Sequence, residues 1–191
     1  MKKNIIFFLP FFLILVLSSC KKLERNNPLE GPLTIGVKLG DWGTVAYILQ
    51  PGDIGYNANV QHGLMVENNT LRKATWGCYG TGISGADGVV LGTGAQNTID
   101  IMNGCSEAGI AARQCGDLVL GGYSDWYLPS IDELNKLYLN RQLIGGFVYT
   151  YYWSSTEYNS NYAVLQDFNN GLQLYWYYKN YEYSVRAVRA F

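Results

Sequence analysis

The chain opens on an almost unbroken apolar run, Ile5 to Val16, preceded by Lys2 and Lys3 and closed by Leu17-Ser18-Ser19-Cys20. A run this short, basic at its start and ending in small residues, has the layout of a secretory leader, not of a spanning helix. Residues 1–20 are therefore expected to be a lipoprotein signal peptide whose removal leaves Cys20 as an acylated N-terminus. Two or more acyl chains hold a protein stably on a bilayer, so the expected location is the bacterial cell envelope, lipid-anchored at the outer membrane or cell surface.

Residues 21–33 are polar and carry prolines, which reads as a tether. From residue 34 the pattern shortens. Thr44 to Leu49 and Gly63 to Val66 are strand-like, and residues 77–94 contain seven glycines, too many for a regular element. Ile99, Met102, Cys105 and Ala108 recur at helical spacing, with Asn97 as the expected cap and Ala111 and Ala112 extending the small-residue face. A second helix is announced by Ser130-Ile131-Asp132-Glu133, a capping box, with Ile131, Leu134 and Leu137 as its apolar stripe. Beyond Gly145-Gly146 strands and loops are expected to the end. Two helices among short antiparallel strands make residues 34–191 one loop-rich α+β domain.

Composition narrows the chemistry. Without residues 1–20 the chain has 12 basic and 15 acidic residues, a net charge of −3, which argues against nucleic acid as a partner. Cys78, Cys105 and Cys115 remain in a compartment that permits disulfides. If Cys105 and Cys115 share one helix, ten residues at about 1.5 Å each separate them by about 15 Å, beyond the ~7 Å limit of a bridge. Cys78 would then pair with one of them, the other staying a buried thiol; three free thiols is the alternative. His62 is the single histidine, and a strand-edge or loop position suits it better than catalysis. Gly80-Thr81-Gly82-Ile83-Ser84-Gly85 has dinucleotide-loop spacing, but more glycines follow where a helix should open. Glu133 is occupied by the capping box, and Asp125 is expected to bond backbone near Trp126. No catalytic residue, metal site or cofactor is expected, and the chain is read as a binding protein and not an enzyme.

The unusual stretch is Tyr149 to Ser184. Its 36 residues hold ten of the chain's 16 tyrosines, with five asparagines and four serines. Tyrosine and asparagine give broad, rigid contact area with adaptable hydrogen bonds, the chemistry of evolved binding loops. Tyr151, Tyr152 and Trp153 are expected in the core. Tyr175-Trp176-Tyr177-Tyr178 cannot all enter one core from a strand, because successive side chains face opposite sides. Some must form an exposed aromatic patch, which marks an interface.

Several blocks are familiar as a series. Trp76-Gly77-Cys78, Gly92-Thr93-Gly94 with Asn97-Thr98, Gly122-Tyr123-Ser124-Asp125-Trp126-Tyr127-Leu128-Pro129-Ser130 with Glu133-Leu134, Tyr152-Trp153-Ser154-Ser155-Thr156-Glu157 and Val185-Arg186-Ala187-Val188-Arg189 resemble the Lcl C-terminal domain family, from about Gly40 onward. The family is named for the carboxyl-terminal domain of a collagen-like adhesin. The resemblance implies a C-type-lectin-like fold whose termini meet while long loops present ligand. No collagen-like tract precedes the domain, and the sugar-and-calcium motifs of true C-type lectins are absent. Formylglycine-generating enzymes share the general fold, but their chemistry requires a reactive cysteine in a cleft. Lipoproteins with this domain also include targets of diversity-generating retroelements, which rewrite asparagine codons near the 3′ end. Asn161, Tyr162, Val164, Leu165, Asp167, Leu172, Leu174, Tyr175, Tyr177, Tyr178, Asn180, Tyr181, Tyr183 and Ser184 are all attainable that way, between fixed-looking Gly171, Gln173 and Lys179.

The expected function is recognition of a protein or glycan ligand at the cell surface. Its contact residues are expected to be Tyr158, Asn161, Tyr162, Leu165, Asp167, Leu172, Leu174, Tyr175, Trp176, Tyr177, Tyr178, Asn180, Tyr181 and Tyr183. The alternative is a fixed structural envelope lipoprotein whose aromatic face packs on a partner subunit.

Overall fold

Alternating burial along the C-terminal strands sets the architecture. In β4 (Tyr151–Glu157) and β5 (Tyr162–Asp167), Trp153, Ala163 and Leu165 enter one apolar cluster while Tyr152 and Val164 enter another. A strand with both faces covered must lie inside a sheet packed on two sides. The computed structural model describes residues 31–68 and 72–191; the leader, Cys20 and most of the tether lie outside them. No helix among the described residues is long and apolar enough to cross a membrane.

The central sheet has the order β3 (Arg72–Thr75), β7 (Glu182–Val185), β4, β5, β6 (Gln173–Tyr178), leaving β3 and β6 as edges. The pairs are antiparallel except β4 with β7. Helices α1 (Gly94–Gly104) and α2 (Ala111–Gly116) supply Ile101, Ala111, Ala112 and Cys115 to one side of this sheet. The other side receives Ile131, Leu134 and Leu137 from α3 (Ile131–Leu139), with Ile144 from the short α4 (Arg141–Ile144). A second sheet, β1 (Thr44–Ile48), β2 (Gly63–Val66) and β8 (Val188–Ala190), joins the two ends of the domain. Leu33 is partly buried against the Leu39, Val45 and Met65 cluster.

The α+β class stands, with four α-helices among the described residues in place of two. The anticipated long helix is broken: α1 starts at Gly94, after Thr93, and Cys105 is already extended, with φ −129° and ψ 113°. Gly109, at φ 71°, reverses the chain before α2. Asn97 is accordingly not a cap. It is buried inside α1, where its Oδ1 accepts from the Gly88 amide at 3.2 Å and its Nδ2 donates to the Gly88 carbonyl at 2.7 Å. A side-chain amide thus stands in for a strand partner and clamps the glycine-rich connection. The second helix forms as anticipated, with the reciprocal Ser130–Glu133 cap present.

Cys78 and Cys105 form the disulfide, and Cys115 is a buried free thiol. The pairing agrees with the sequence logic although its premise does not hold, since Cys105 and Cys115 lie on opposite sides of the break between α1 and α2. Burial, reinforced by nearby Glu67, pushes the Cys115 thiol well above its ordinary range, so little thiolate exists at neutral pH. A thiol-reactive chromogen is expected to find no fast-reacting group in the folded domain, and one after denaturation without reductant. A reactive thiol in the native fold would contradict this arrangement.

Candidate ligand-binding face

The aromatic stretch is exposed because of a bulge. Along the β5–β6 pair, Ala163 stands opposite Tyr177 and Leu165 opposite Leu174. Two residues of β6, Tyr175 and Trp176, therefore oppose the single Val164, and the extra residue resets the alternation. Leu174 and Tyr177 both turn toward the α1–α2 core, where Tyr177 meets Tyr151 and Tyr183 at centroid distances of 5.6 and 5.7 Å. Tyr175 and Trp176 are released to the surface at the sheet's edge, and Trp176 is 70% exposed.

The surface rings form two groups, one around Tyr158 and one around Tyr178. Tyr158 lies 6.3 Å from both Tyr175 and Trp176. Tyr178 lies 4.7 Å from Tyr162, 5.6 Å from Tyr181 and 5.9 Å from Tyr79. Edge-on and tilted pairs at these separations are attractive, so the rings hold one another in place before a ligand arrives. A hydrogen bond with Tyr178 holds the Tyr162 hydroxyl above its ordinary pKa. It therefore stays a neutral donor and acceptor.

Tyr79 is the member that sequence reasoning missed, because it lies in the glycine-rich connection where no strand or helix period operates. Its neighbour Cys78 takes φ 44°, a left-handed backbone rare outside glycine, and is held there by the bridge to Cys105. Gly77, at φ 105°, passes Ile110 so closely that an added Cβ would stand 2.6 Å from its methyl. The only available signal was a tyrosine flanked by Cys78 and Gly80.

Below the face sits a buried ion pair. Lys179 is 0% exposed; its Nζ contacts the Glu157 carboxylate, donates to the Thr81 carbonyl at 2.9 Å and lies 4.5 Å from the Trp76 ring centre. Glu157 in turn accepts the Ile83 amide on both oxygens, at 2.9 and 3.0 Å. The Lys179 carbonyl accepts from the Trp76 amide, and the Gly80 amide donates to the Ser160 carbonyl. Desolvation lowers the Lys179 pKa against the pull of Glu157. These bonds pin residues 76–83 to the ends of β4 and β6, which is what brings Tyr79 to Tyr178. They also occupy the Ile83 amide inside the Gly80–Gly85 turn.

The anticipated contact residues divide. Tyr158, Leu172, Tyr175, Trp176, Tyr178, Asn180 and Tyr181 are exposed, and Asn161 and Tyr162 are half-buried at the same β4–β5 turn. Leu174, Tyr177 and Tyr183 are half-buried against the core. Two are corrections. Leu165 is wholly buried, since β5 is covered on both faces, and Asp167 is buried where its Oδ1 accepts from the Asn169 amide and side chain to shape the β5–β6 turn. Val164 and Ser184 are buried as well. Asp125 bonds its own backbone amide and also pairs with Arg189 through two contacts of 2.8 Å, and the Arg189 hydrogen bond holds its carboxyl below the ordinary range. His62 has the loop position anticipated, with Nδ1 3.2 Å from the Phe191 carbonyl.

The familiar blocks turn out to be scaffold. Ser154, Ser155 and Thr156 form a buried bulge in β4: Ser154 Oγ donates to the Val164 carbonyl, the Ser155 amide to the Pro129 carbonyl, and Thr156 Oγ1 to the Gly88 carbonyl. They tie the sheet, the start of α3 and the glycine-rich connection into one unit. The family profile described as the Lcl C-terminal domain matches residues 61–189, which leaves β1 outside. Among curated proteins, none matches the chain. With more than half of its length inside that profile, the chain belongs to the Lcl C-terminal domain family.

Proposed function

We propose that this protein is a bacterial envelope lipoprotein, acylated at Cys20, whose domain recognises a protein or glycan ligand through the face formed by Tyr79, Tyr158, Tyr175, Trp176, Tyr178 and Tyr181. The observation that carries the reading is the exposure of these rings on a rigid base: a bulge expels Tyr175 and Trp176, and a buried ion pair with a disulfide fixes the loop bearing Tyr79. Burying such rings from water costs folding nothing further and rewards a partner, so a persistent exposed aromatic patch marks an interface. Membership in a family named for an adhesin's carboxyl-terminal domain favours adhesion over packing on a fixed partner subunit.

A C-type-lectin-like arrangement is supported by the shared sheet of β1, β2 and β8, which brings the ends of the described domain together. Sequence diversification, if the 3′ end is rewritten, would be confined to Asn161, Tyr162, Leu172, Tyr175, Tyr178, Asn180 and Tyr181. Buried Val164, Leu165, Asp167 and Ser184 would not tolerate it. A non-enzymatic role is supported by cysteines that are either bridged or buried and by a histidine engaged with the chain end.

The test is binding of the protein to an array of neutral oligosaccharides and to a panel of immobilised extracellular proteins. Trp176→Ala and Tyr178→Ala are each expected to weaken whatever the wild type binds by about 10-fold or more, as aromatic anchors do, with an unchanged melting temperature. Unaltered binding by both variants would remove the face from the function.

A further inference from the structure

The domain has a second apolar surface, on the connection from Leu49 to His62 between β1 and β2. This stretch has one acidic residue, Asp53, and no lysine or arginine. Asp53 is used internally: its Oδ2 accepts from the Tyr47 hydroxyl and from the Gln50 amide, both at 2.7 Å. The Tyr56 amide donates to the Asp53 carbonyl at 3.1 Å, and the Asn59 amide to Asn57 Oδ1 at 2.8 Å. The loop is thus held in shape by its own polar groups. Among its exposed residues are three large apolar ones, Ile54 at 74%, Val60 at 51% and Tyr56 at 40%, interleaved with the uncharged amides Gln50, Asn57, Asn59 and Gln61. Beside them opens a cavity of about 300 Å³ walled by Leu49, Ile54, Leu64, Leu91 and Phe191.

The tether enters the domain at this loop. The Leu33 amide donates to Gln61 Oε1 at 2.6 Å, and Gln61 Nε2 donates back to the Leu33 carbonyl at 3.1 Å. The thirteen positions from Cys20 to Leu33 span at most about 45 Å when fully extended. A lipid on Cys20 therefore confines this loop, more than any element remote from Leu33, to the neighbourhood of the bilayer. Confinement acts as a high effective concentration, under which a contact too weak to hold a free protein becomes populated.

We propose that the Leu49–His62 loop is a membrane-contact surface, with Ile54, Tyr56 and Val60 seated among the lipid headgroups of the bilayer that Cys20 anchors. The inference rests on the acylated Cys20 proposed above. An interfacial site suits this chemistry: aliphatic side chains gain by leaving water, tyrosine favours the headgroup level, the amides can bond headgroups, and the loop's single carboxylate is already hydrogen-bonded within the domain. The contact would orient the domain on its support.

The experiment uses the full acylated protein in vesicles of phosphatidylethanolamine and phosphatidylglycerol, labelled with an environment-sensitive fluorophore at Ile54→Cys, Val60→Cys or, as reference, Trp176→Cys. Buried Cys115 and the bridged cysteines leave the introduced thiol as the labelling site. Labels at 54 and 60 are expected to shift to the blue and to lose most of their emission when headgroup-nitroxide lipid is added, while the label at 176 keeps its emission. Labels at 54 and 60 that stay as water-exposed and as unquenched as that at 176 overturn the proposal. So does equal lipid quenching at all three positions. Self-quenching that grows with protein density and ignores the nitroxide also overturns it, in favour of a second copy of the chain. Mass spectrometry of Cys20 separates the two readings, because an unacylated cysteine sinks the anchor, whereas an acylated one with unquenched labels sinks only the loop contact.

Discussion

Lys179→Met is expected to destabilise the domain by about 3–5 kcal/mol, the usual cost of stripping one partner from a buried ion pair. At this domain size that is a fall of roughly 10 °C or more in melting temperature. The loss has two parts. The Glu157 carboxylate stays in a site that is nearly closed to solvent, now without its counter-charge, and the Thr81 carbonyl loses its donor. Methionine preserves much of the stem's packing against Trp76, so the effect isolates the ammonium. Glu157→Gln is expected to cost less than Lys179→Met, because an amide oxygen can still accept from the Ile83 amide. The double variant should lose less than the sum of the two, as contacting residues are not additive. A cost for Lys179→Met below about 1 kcal/mol, within the range of an exposed pair, would show that the ammonium is not buried against Glu157 in solution. Since the pair also holds residues 76–83, ligand binding through Tyr79 should fall along with stability.

Glu133 is the second site of large effect. Its carboxylate is buried and accepts three bonds: from the Ser130 amide at 2.8 Å, the Gly92 amide at 3.0 Å and the Tyr127 hydroxyl at 3.1 Å. Glu133→Ala leaves three buried donors without an acceptor, at about 1–3 kcal/mol each before relaxation, so a net loss of about 4 kcal/mol is expected. Glu133→Gln keeps the shape but turns an NH2 toward one of the donors, and should lose about half as much. Burial raises the Glu133 pKa against the pull of its donors. A carboxyl whose pKa is raised by folding contributes stability that is complete below its unfolded pKa and is lost as pH rises through the folded value. The stability advantage of wild type over Glu133→Gln is therefore expected to be larger in mild acid, near the ordinary carboxylate pKa, than at neutral pH. Thermal melts of both proteins across that interval measure it, and an advantage that grows with pH would show that the three donors outweigh burial.

What was legible in the sequence follows the strength of local signals. The Ser130–Glu133 cap and the Ile131, Leu134, Leu137 stripe are short-range features, and they formed as written. The break after Gly104 was hidden because Cys105 and Ala108 continued the helical spacing by chance, while the extended backbone at Cys105 is imposed by a bridge 27 residues away. That some of Tyr175, Trp176, Tyr177 and Tyr178 must be exposed was legible from strand alternation. The route to it was not, since a bulge depends on how β5 and β6 register against each other. For the same reason Leu165 and Asp167 were assigned to the face: their own residue types do not reveal that β5 is covered on both sides. Tyr79 came from the glycine-rich connection, which only long-range ties through Lys179 and Glu157 bring to the sheet.

The bulge in β6 bears on crowding as well as on recognition. An edge strand with a straight ladder of free amides and carbonyls invites a neighbouring chain to continue the sheet. Proteins fixed to one surface meet their own copies far more often than proteins free in solution. In β6 the doubled step at Tyr175 and Trp176 breaks the spacing that an incoming strand would have to match, and bulky rings stand along its margin. The same irregularity that displays the rings thus discourages two copies of the domain from fusing edge to edge, even at the density the proposed lipid anchor would impose.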